Sequence, residues 1–336
     1  MASVEQWRDD VLERLRGRRS QLVGRARYGL RPPRRDRTAI VTDTAAALPA
    51  SVLEHPFAAG IRQVPLPVMV GEQIHAEGDE DLALELPLAL AAGTAVRTSR
   101  PAPGVFRAVY ADLARAGYAR ILSLHMSGGL SGTVDAARLA ARDAPCPVTV
   151  VDTRTVGFAL GMTVTDAAVE AGLGRPLEEI VARAEATAAA SDVLFSVPSL
   201  EQLRRGGRVG AMSSLLGTLL QVRPLLEMRE GTVQLLERPR SEARARERLV
   251  ALTRERVAGR ACRVAVHGYG EESAAALAEC LQPLSVSPVP VVELPAVLAA
   301  HAGLGTLGVV VAPLDPFAGG GTGAARSTAG PGASGA

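Results

Sequence analysis

The chain contains no lysine and no asparagine, so all 37 of its basic residues are arginine. Without lysine there is no P-loop side chain to reach nucleotide phosphates and no amine to form a Schiff base, which excludes both classes of enzyme. Aromatic residues make up only 3% of the chain and hydrophobic residues 47%, so the core is filled by Ala, Val and Leu. That much apolar material excludes disorder over most of the length. Cysteine is limited to Cys146, Cys262 and Cys280, an odd count at wide spacing that makes neither a disulfide framework nor a zinc site. The histidines (His55, His75, His125, His267 and His301) form no cluster at metal-ligand spacing, so no metal is expected. Apolar runs are too short to span a bilayer, and the N-terminus lacks the continuous apolar core of a secretory signal. The net charge of +2 argues against a nucleic-acid partner. A cytoplasmic protein is expected.

What is present points to about two domains in 336 residues. Residues 1–37 form an Arg-rich extension with eleven Arg against five acids. Trp7, Val11, Leu12 and Leu15 recur at helical spacing and predict a short amphipathic helix over 3–16. Gly17 and the stretch to Arg37 read as a linker. Docking on the body is the plainer reading of that helix; transient contact with a membrane surface or an acidic partner is the alternative. Residues 317–336 are Gly/Ala-rich and predicted to be disordered.

Between these ends, short apolar stretches alternate with helical ones. Strands are predicted at 38–42, 61–70 (cut by Pro65 and Pro67), 119–126 and 148–151. The helix over 104–116 carries Phe106, Val109, Tyr110 and Leu113 on one face, and another spans 133–141. Farther on, helices are predicted at 157–171, 177–190, 212–222 and 241–257. Strands are predicted at 193–197, 263–267, 289–293 and 307–311, with a β-hairpin turning at Glu230-Gly231. This alternation implies an α/β fold of two α/β domains with mostly parallel sheets. The N-terminal domain is placed at 38–156 and the C-terminal domain at 157–316.

Three strand-to-helix turns are rich in hydroxyls and small residues. One ends at Thr42-Asp43-Thr44. The second runs from Thr98, Ser99 and Arg100 to Gly104. The third, 127–133, holds three Gly and three hydroxyl residues, including Ser127 and Gly128. Helix N-termini offer unpaired N–H groups and positive partial charge, so such turns can hold a carboxylate or phosphate. Ordinary N-capping uses the same residues, but the third turn exceeds what a cap needs. Ligands in open parallel sheets sit at such strand ends. Two further elements stand out: three Arg around a Gly turn at 203–210, and His301 beside a Gly-rich turn.

Taken together these segments resemble the DegV family, which includes the fatty-acid-binding subunits of bacterial fatty acid kinase. The likeness is carried in order by IVTDTAAALP (40–49), TSRPAPGVF (98–106), HMSGGLSGTVDAARLAA (125–141), VDTRTVGFALG (151–161), LEQLRRGGRVG (200–210), LLGTLLQVRPLLEMREG (215–231) and AAHAGLGTLGVVV (299–311). The resemblance implies a long-chain fatty acid in a tunnel that reaches between the two domains, and no cofactor. It assigns the carboxylate contacts to Thr98 and the Ser127/Gly128 pair, with His301 beside them. Ser99, Arg100, Asp43 and Thr44 are secondary pocket candidates. It implies no bond-making by the protein itself: a separate ATP-dependent kinase subunit phosphorylates the carboxylate, and the binding protein carries the acyl phosphate. Arg205, Arg208 and Arg240 are expected on the surface that meets that kinase. Gly128 stands where many members have a second Ser, Arg100 replaces the usual Gln, and Leu304 stands near a common Pro. Uncharged donors at the mouth would leave the carboxylate nucleophilic. The competing readings are a phosphoryl-transfer enzyme with His301 or His125 as base, and a regulatory interaction module using the Arg-rich segments.

Overall fold

The computed structural model describes residues 4–22, 33–208, 222–269 and 271–317. In chain order the first half runs α1 (Val4–Leu22), β1 (Thr38–Asp43), α2 (Ala50–Leu53), β2 (Ile61–Val64), β3 (Val68–Val70), β4 (Gln73–His75), α3 (Glu80–Ala92), β5 (Val96–Thr98), α4 (Pro103–Arg115), β6 (Arg120–His125), α5 (Thr133–Ala141) and β7 (Val148–Asp152). The second half runs α6 (Phe158–Gly172), α7 (Leu177–Ala190), β8 (Asp192–Ser196), α8 (Glu201–Arg205), β9 (Leu225–Arg229), β10 (Thr232–Glu237), α9 (Glu242–Val257), β11 (Cys262–Gly268), α10 (Glu271–Leu281), β12 (Val291–Glu293), α11 (Ala296–Ala302) and β13 (Leu307–Pro313).

The first sheet has order β2-β1-β6-β7, and every pairing in it is parallel. Its central strands β1 and β6 are buried, as the continuous apolar runs require. Pro65 and Pro67 remove ladder donors and split the 61–70 stretch. Its first part stays in the parallel sheet; its second part, β3, joins β4 and β5 in a small antiparallel sheet. That split sets Thr98 at the end of an edge strand. The predicted stripe on α4 is present: Phe106, Tyr110 and Leu113 are buried against β1 and β6 residues.

The second sheet has order β10-β9-β8-β13-β11-β12. Here the expectation of parallel pairing is corrected: only β11 and β12 run parallel, and the other pairs are antiparallel. Burial on both faces makes these strands read as continuous apolar runs, and a run without alternation carries no directional signal. One face packs α9 and α10 through Leu194, Val264, Val266, Val309 and Val311. The other, with Val193, Leu226, Ala265 and Val310, joins the main core, which includes α6, α7 and the first domain. The hairpin forms as predicted, with Glu230 at φ 51° and Gly231 at φ 81°, the left-handed pair a two-residue hairpin needs.

Helix α6 joins the two halves and is buried on nearly every side. It packs on β1 and on β13, so the expected boundary at 156/157 falls at a helix that both sheets share. Asp166 of α6 accepts two hydrogen bonds, 2.8 and 2.6 Å, from Arg263 of β11, whose guanidinium is only 1% exposed. Such a bidentate pair fixes the angle between helix and sheet.

The N-terminal helix is longer than its apolar spacing predicts. It continues past Gly17 to Leu22, and Trp7 and Val11 are buried in the main core. Those two side chains of the predicted apolar face are thereby taken up by the body. The remaining linker (23–32), the predicted helix around 212–222 (as far as 221) and the Gly/Ala-rich tail from 318 lie outside the described residues.

Candidate functional site

The carboxyl ends of the parallel strands meet the inner face of the second sheet, and a cavity lies in the seam. Its volume is about 100 Å3. Its floor crosses the second sheet strand by strand: Val233 on β10, Met228 on β9, Val193 and Phe195 on β8, Gly308 on β13, His267 on β11, then Leu294 beyond β12. Its roof comes from residues just past the first sheet's strands: Leu66 after β2, Met126 after β6, Val156 and Gly157 after β7. Gly308 lets β13 lie close beside His267, because a Cβ there would stand 3.2 Å from the His267 Cβ.

Polar groups gather at one part-exposed side, the mouth. Thr98 and Ser99 come from the end of β5, and Ser131 from the turn before α5. Arg208 follows α8, and His301 sits on α11. Thr98 Oγ1 and His301 Nε2, 203 residues apart in sequence, share a hydrogen bond of 2.8 Å. The imidazole is pressed against α8: any Cβ on Gly206 would overlap its Nδ1. Burial first, and then the neighbouring Arg208, push His301 down to about 4, so it is neutral near pH 7. Glu77, in the loop before α3, holds α11 from its other end by accepting from Ala296 N and Val297 N (3.1 Å to the latter). Burial raises the Glu77 carboxyl to about 7, against the pull of those two backbone donors.

Not every expected site residue lies on this wall. Ser127 is fully buried, and its hydroxyl donates to Gly231 O at 2.6 Å across the domain seam. The approach is so close that a Cβ on Gly129 would stand 2.5 Å from the same carbonyl oxygen. Ser127 therefore clips the hairpin turn to the third Gly-rich turn, and Ser131 is the serine from that turn on the cavity wall. Gly128 is exposed and donates its N–H to Asp152 at 3.1 Å. Asp43 is fully buried away from the cavity, where it accepts from Ala45 N, His125 Nδ1 and Met126 N. Thr44 turns to Leu66 N and to Glu77. Arg100 is exposed and covers Gly132 at the start of α5, next to Ser131.

Among the arginines expected on an outer docking face, Arg208 instead lines the cavity, donating to Leu130 O at 3.1 Å. A formal cation thus joins the uncharged donors at the mouth. Arg205 is exposed and pairs with Glu201 at 2.9 Å, as does Arg204 at 2.6 Å; Arg240 is exposed. Among the described residues no group of three or more His, Cys, Asp or Glu side chains is placed to hold a metal ion, and no helix is long and apolar enough to cross a membrane.

His267 is a wall residue that the sequence reading passed over. Phe158 N–H donates to its Nε2 at 2.8 Å, so the ring proton sits on Nδ1 and is given to Val292 O at 3.1 Å. Burial holds it down to about 4 from an ordinary 6.5. Between about pH 6.5 and 4 the unfolded chain binds a proton here that the folded chain refuses, so this group's contribution to stability falls as pH drops through that window. His267→Gln is expected to remove that slope. The difference in urea midpoint between variant and wild type, read at pH 7 and at pH 4.5, checks it.

Comparison with known proteins accords with this geometry. The family described as "Uncharacterised protein, DegV family" matches residues 37–314. A DegV domain-containing protein of Streptomyces coelicolor is 42% identical over 276 residues, covering 81% of this chain and 97% of its own. Among solved structures, a fatty-acid-binding DegV family protein from Thermus thermophilus is 38% identical. It superposes with a TM-score of 0.77 over 83% of this chain and 100% of its own. DegV of Bacillus subtilis, described as a fatty acid binding protein, is 28% identical with a TM-score of 0.72, covering 82% of this chain and 99% of its own. With matching sequence over most of its length and the same fold, the chain belongs to the DegV family.

Proposed function

We propose that this protein binds a long-chain fatty acid in the seam cavity and presents its carboxylate at the mouth to a separate ATP-dependent kinase, then carries the acyl phosphate in the cytoplasm. The observation that carries the reading is the division of the wall: mostly apolar along the floor and roof, where the polar His267 and Thr306 are already paired with backbone groups, with further hydroxyls, a neutral imidazole and one guanidinium gathered at the mouth. The fatty-acid-binding relatives support it.

The energetics fit that division. A palmitate-length chain has about fourteen methylenes, and at roughly 0.8 kcal/mol each their burial offers on the order of 11 kcal/mol before association costs. Burying the carboxylate unpaired would cost several kcal/mol. Thr98, Ser99, Ser131 and Arg208 supply donors there. His301 stays neutral and, through Thr98, orients a hydroxyl without adding charge. One guanidinium on a part-exposed wall is screened by water, which leaves the carboxylate able to attack a phosphoryl group. Nothing in this scheme asks the protein to make or break a bond. Arg205 and Arg240, both exposed, are assigned to the face that meets the kinase.

The test is extraction of the protein purified from its host, native mass spectrometry of what it carries, and titration of the stripped protein with palmitate. Thr98→Val is expected to weaken binding about 3- to 10-fold, the usual worth of one neutral hydrogen bond, and Arg208→Met about tenfold. Unchanged affinity in both variants would remove the assigned headgroup site. Acyl-phosphate formation that needs no added kinase would replace the carrier with an enzyme.

A further inference from the structure

Helix α1 lies outside the part of the chain that the family shares. The family match begins at residue 37, and the Streptomyces coelicolor relative is matched over 97% of its own length. The little left unmatched in that relative is too short for a 19-residue helix such as α1. The helix is nevertheless built into the body. Trp7 is the chain's one tryptophan and is 0% exposed. Its ring meets Phe158 edge-on, with centroids 4.8 Å apart and planes at 62°.

Phe158 links α1 to the cavity. It follows Gly157 on the wall, and its own N–H is held by the wall residue His267. Gly157 and His267 are both buried, as is most of the wall, whereas the mouth residues Thr98, Ser99, Ser131, Arg208 and His301 are all at least part-exposed. Trp7 and Val11 belong to the same continuous core as the wall residues Leu66, Val156 and Leu294. Nothing polar fixes Trp7 in place: among the described residues its indole N–H has no acceptor. A buried unpaired donor is costly, so the position is filled for its bulk.

We infer that α1 is the backstop of the acyl cavity, with Trp7 behind Phe158 setting how far the methyl end of a fatty acid runs. The inference rests on the function proposed above and deepens it: an element added outside the family frame limits acyl chain length. A lone tryptophan also makes the protein its own reporter, because bromine quenches indole emission only at close range.

The test uses the intact chain and a series of stearates brominated near the carboxyl end, at mid-chain and near the methyl end, with binding followed separately by native mass spectrometry. Quenching is expected to rise toward the methyl end. Bound acids with flat quenching, or with quenching strongest near the carboxyl end, would overturn the backstop and leave the fatty-acid reading standing. Failure of every acid to bind would overturn both. Trp7→Ala is expected to raise the preference for a chain two carbons longer by about tenfold, the worth of two more buried methylenes. Trp7→Phe keeps a ring, discards the unpaired donor and should hold the wild-type preference. An unchanged preference in folded Trp7→Ala would overturn the inference. Should that variant fail to fold, the quenching series on the wild-type protein decides alone.

Discussion

Asp43→Ala is expected to destabilise the protein by about 3–5 kcal/mol, because three buried donors lose their acceptor at once and each orphaned group costs about 1–3 kcal/mol. Asp43 Oδ1 accepts from Ala45 N at 3.1 Å, and Oδ2 accepts from Met126 N at 3.1 Å and pairs with His125 Nδ1 at 2.9 Å. The chain continues inward: His125 Nε2 lies 2.7 Å from Ser123 Oγ, which lies 2.9 Å from Tyr110 OH. Asp, His and Ser in this order have the look of a nucleophilic relay. All of them are 0% exposed, however, and Tyr110 covers the serine, so no substrate reaches it. The relay is a strut that ties β1 to β6 and α4. Urea unfolding of Asp43→Ala and Asp43→Asn separates this from a binding role. Both should lose stability, Asn less because its carbonyl still accepts. Retained stability with lost palmitate binding would return Asp43 to the ligand site.

The Asp43 result bears on what a single sequence reveals. The strand predicted over 38–42, the stripe on α4 and the turn at Glu230-Gly231 were legible, since period, burial and left-handed turns leave local marks. Thr98 and His301 were each marked by a local turn, and the family likeness put both at the carboxylate; nothing local shows that positions 203 residues apart meet at 2.8 Å. Hydroxyl-rich turns were legible as places but not as directions. Ser127 and Ser131 lie four residues apart on one turn, and which of them faces the cavity depends on how closely Gly129 approaches the hairpin. Arg208 looked like surface because arginine usually is; a Gly-Gly step after α8 folds it back over Leu130. His267 did leave a signal: a lone imidazole at the end of a strand buried at every residue must have its nitrogens paired, and its partners are backbone groups from two other segments.

Gly206→Ala is expected to weaken fatty-acid binding about 100-fold while leaving the fold intact, which is the reverse of the Asp43 pattern. Gly206 ends α8 in ordinary right-handed backbone, at φ −75° and ψ −12°, so alanine suits it locally and even favours the helix. The added Cβ, however, overlaps the His301 imidazole, which has little freedom because Thr98 holds its other nitrogen. The ring is driven into the mouth. It loses the Thr98 contact and takes the space assigned to the carboxylate. Arg208 is disturbed as well, since it donates to the Gly206 carbonyl. A double-mutant cycle isolates the cause. His301→Ala alone should weaken binding only about 3- to 10-fold, as the loss of one hydrogen-bonding group does. Once the ring is gone, Gly206→Ala should add almost nothing, giving a large interaction term between the two sites. Additive losses would mean that Gly206 acts through Arg208 or the backbone. Unchanged binding in Gly206→Ala, with the thermal midpoint retained, would place the carboxylate away from His301 altogether.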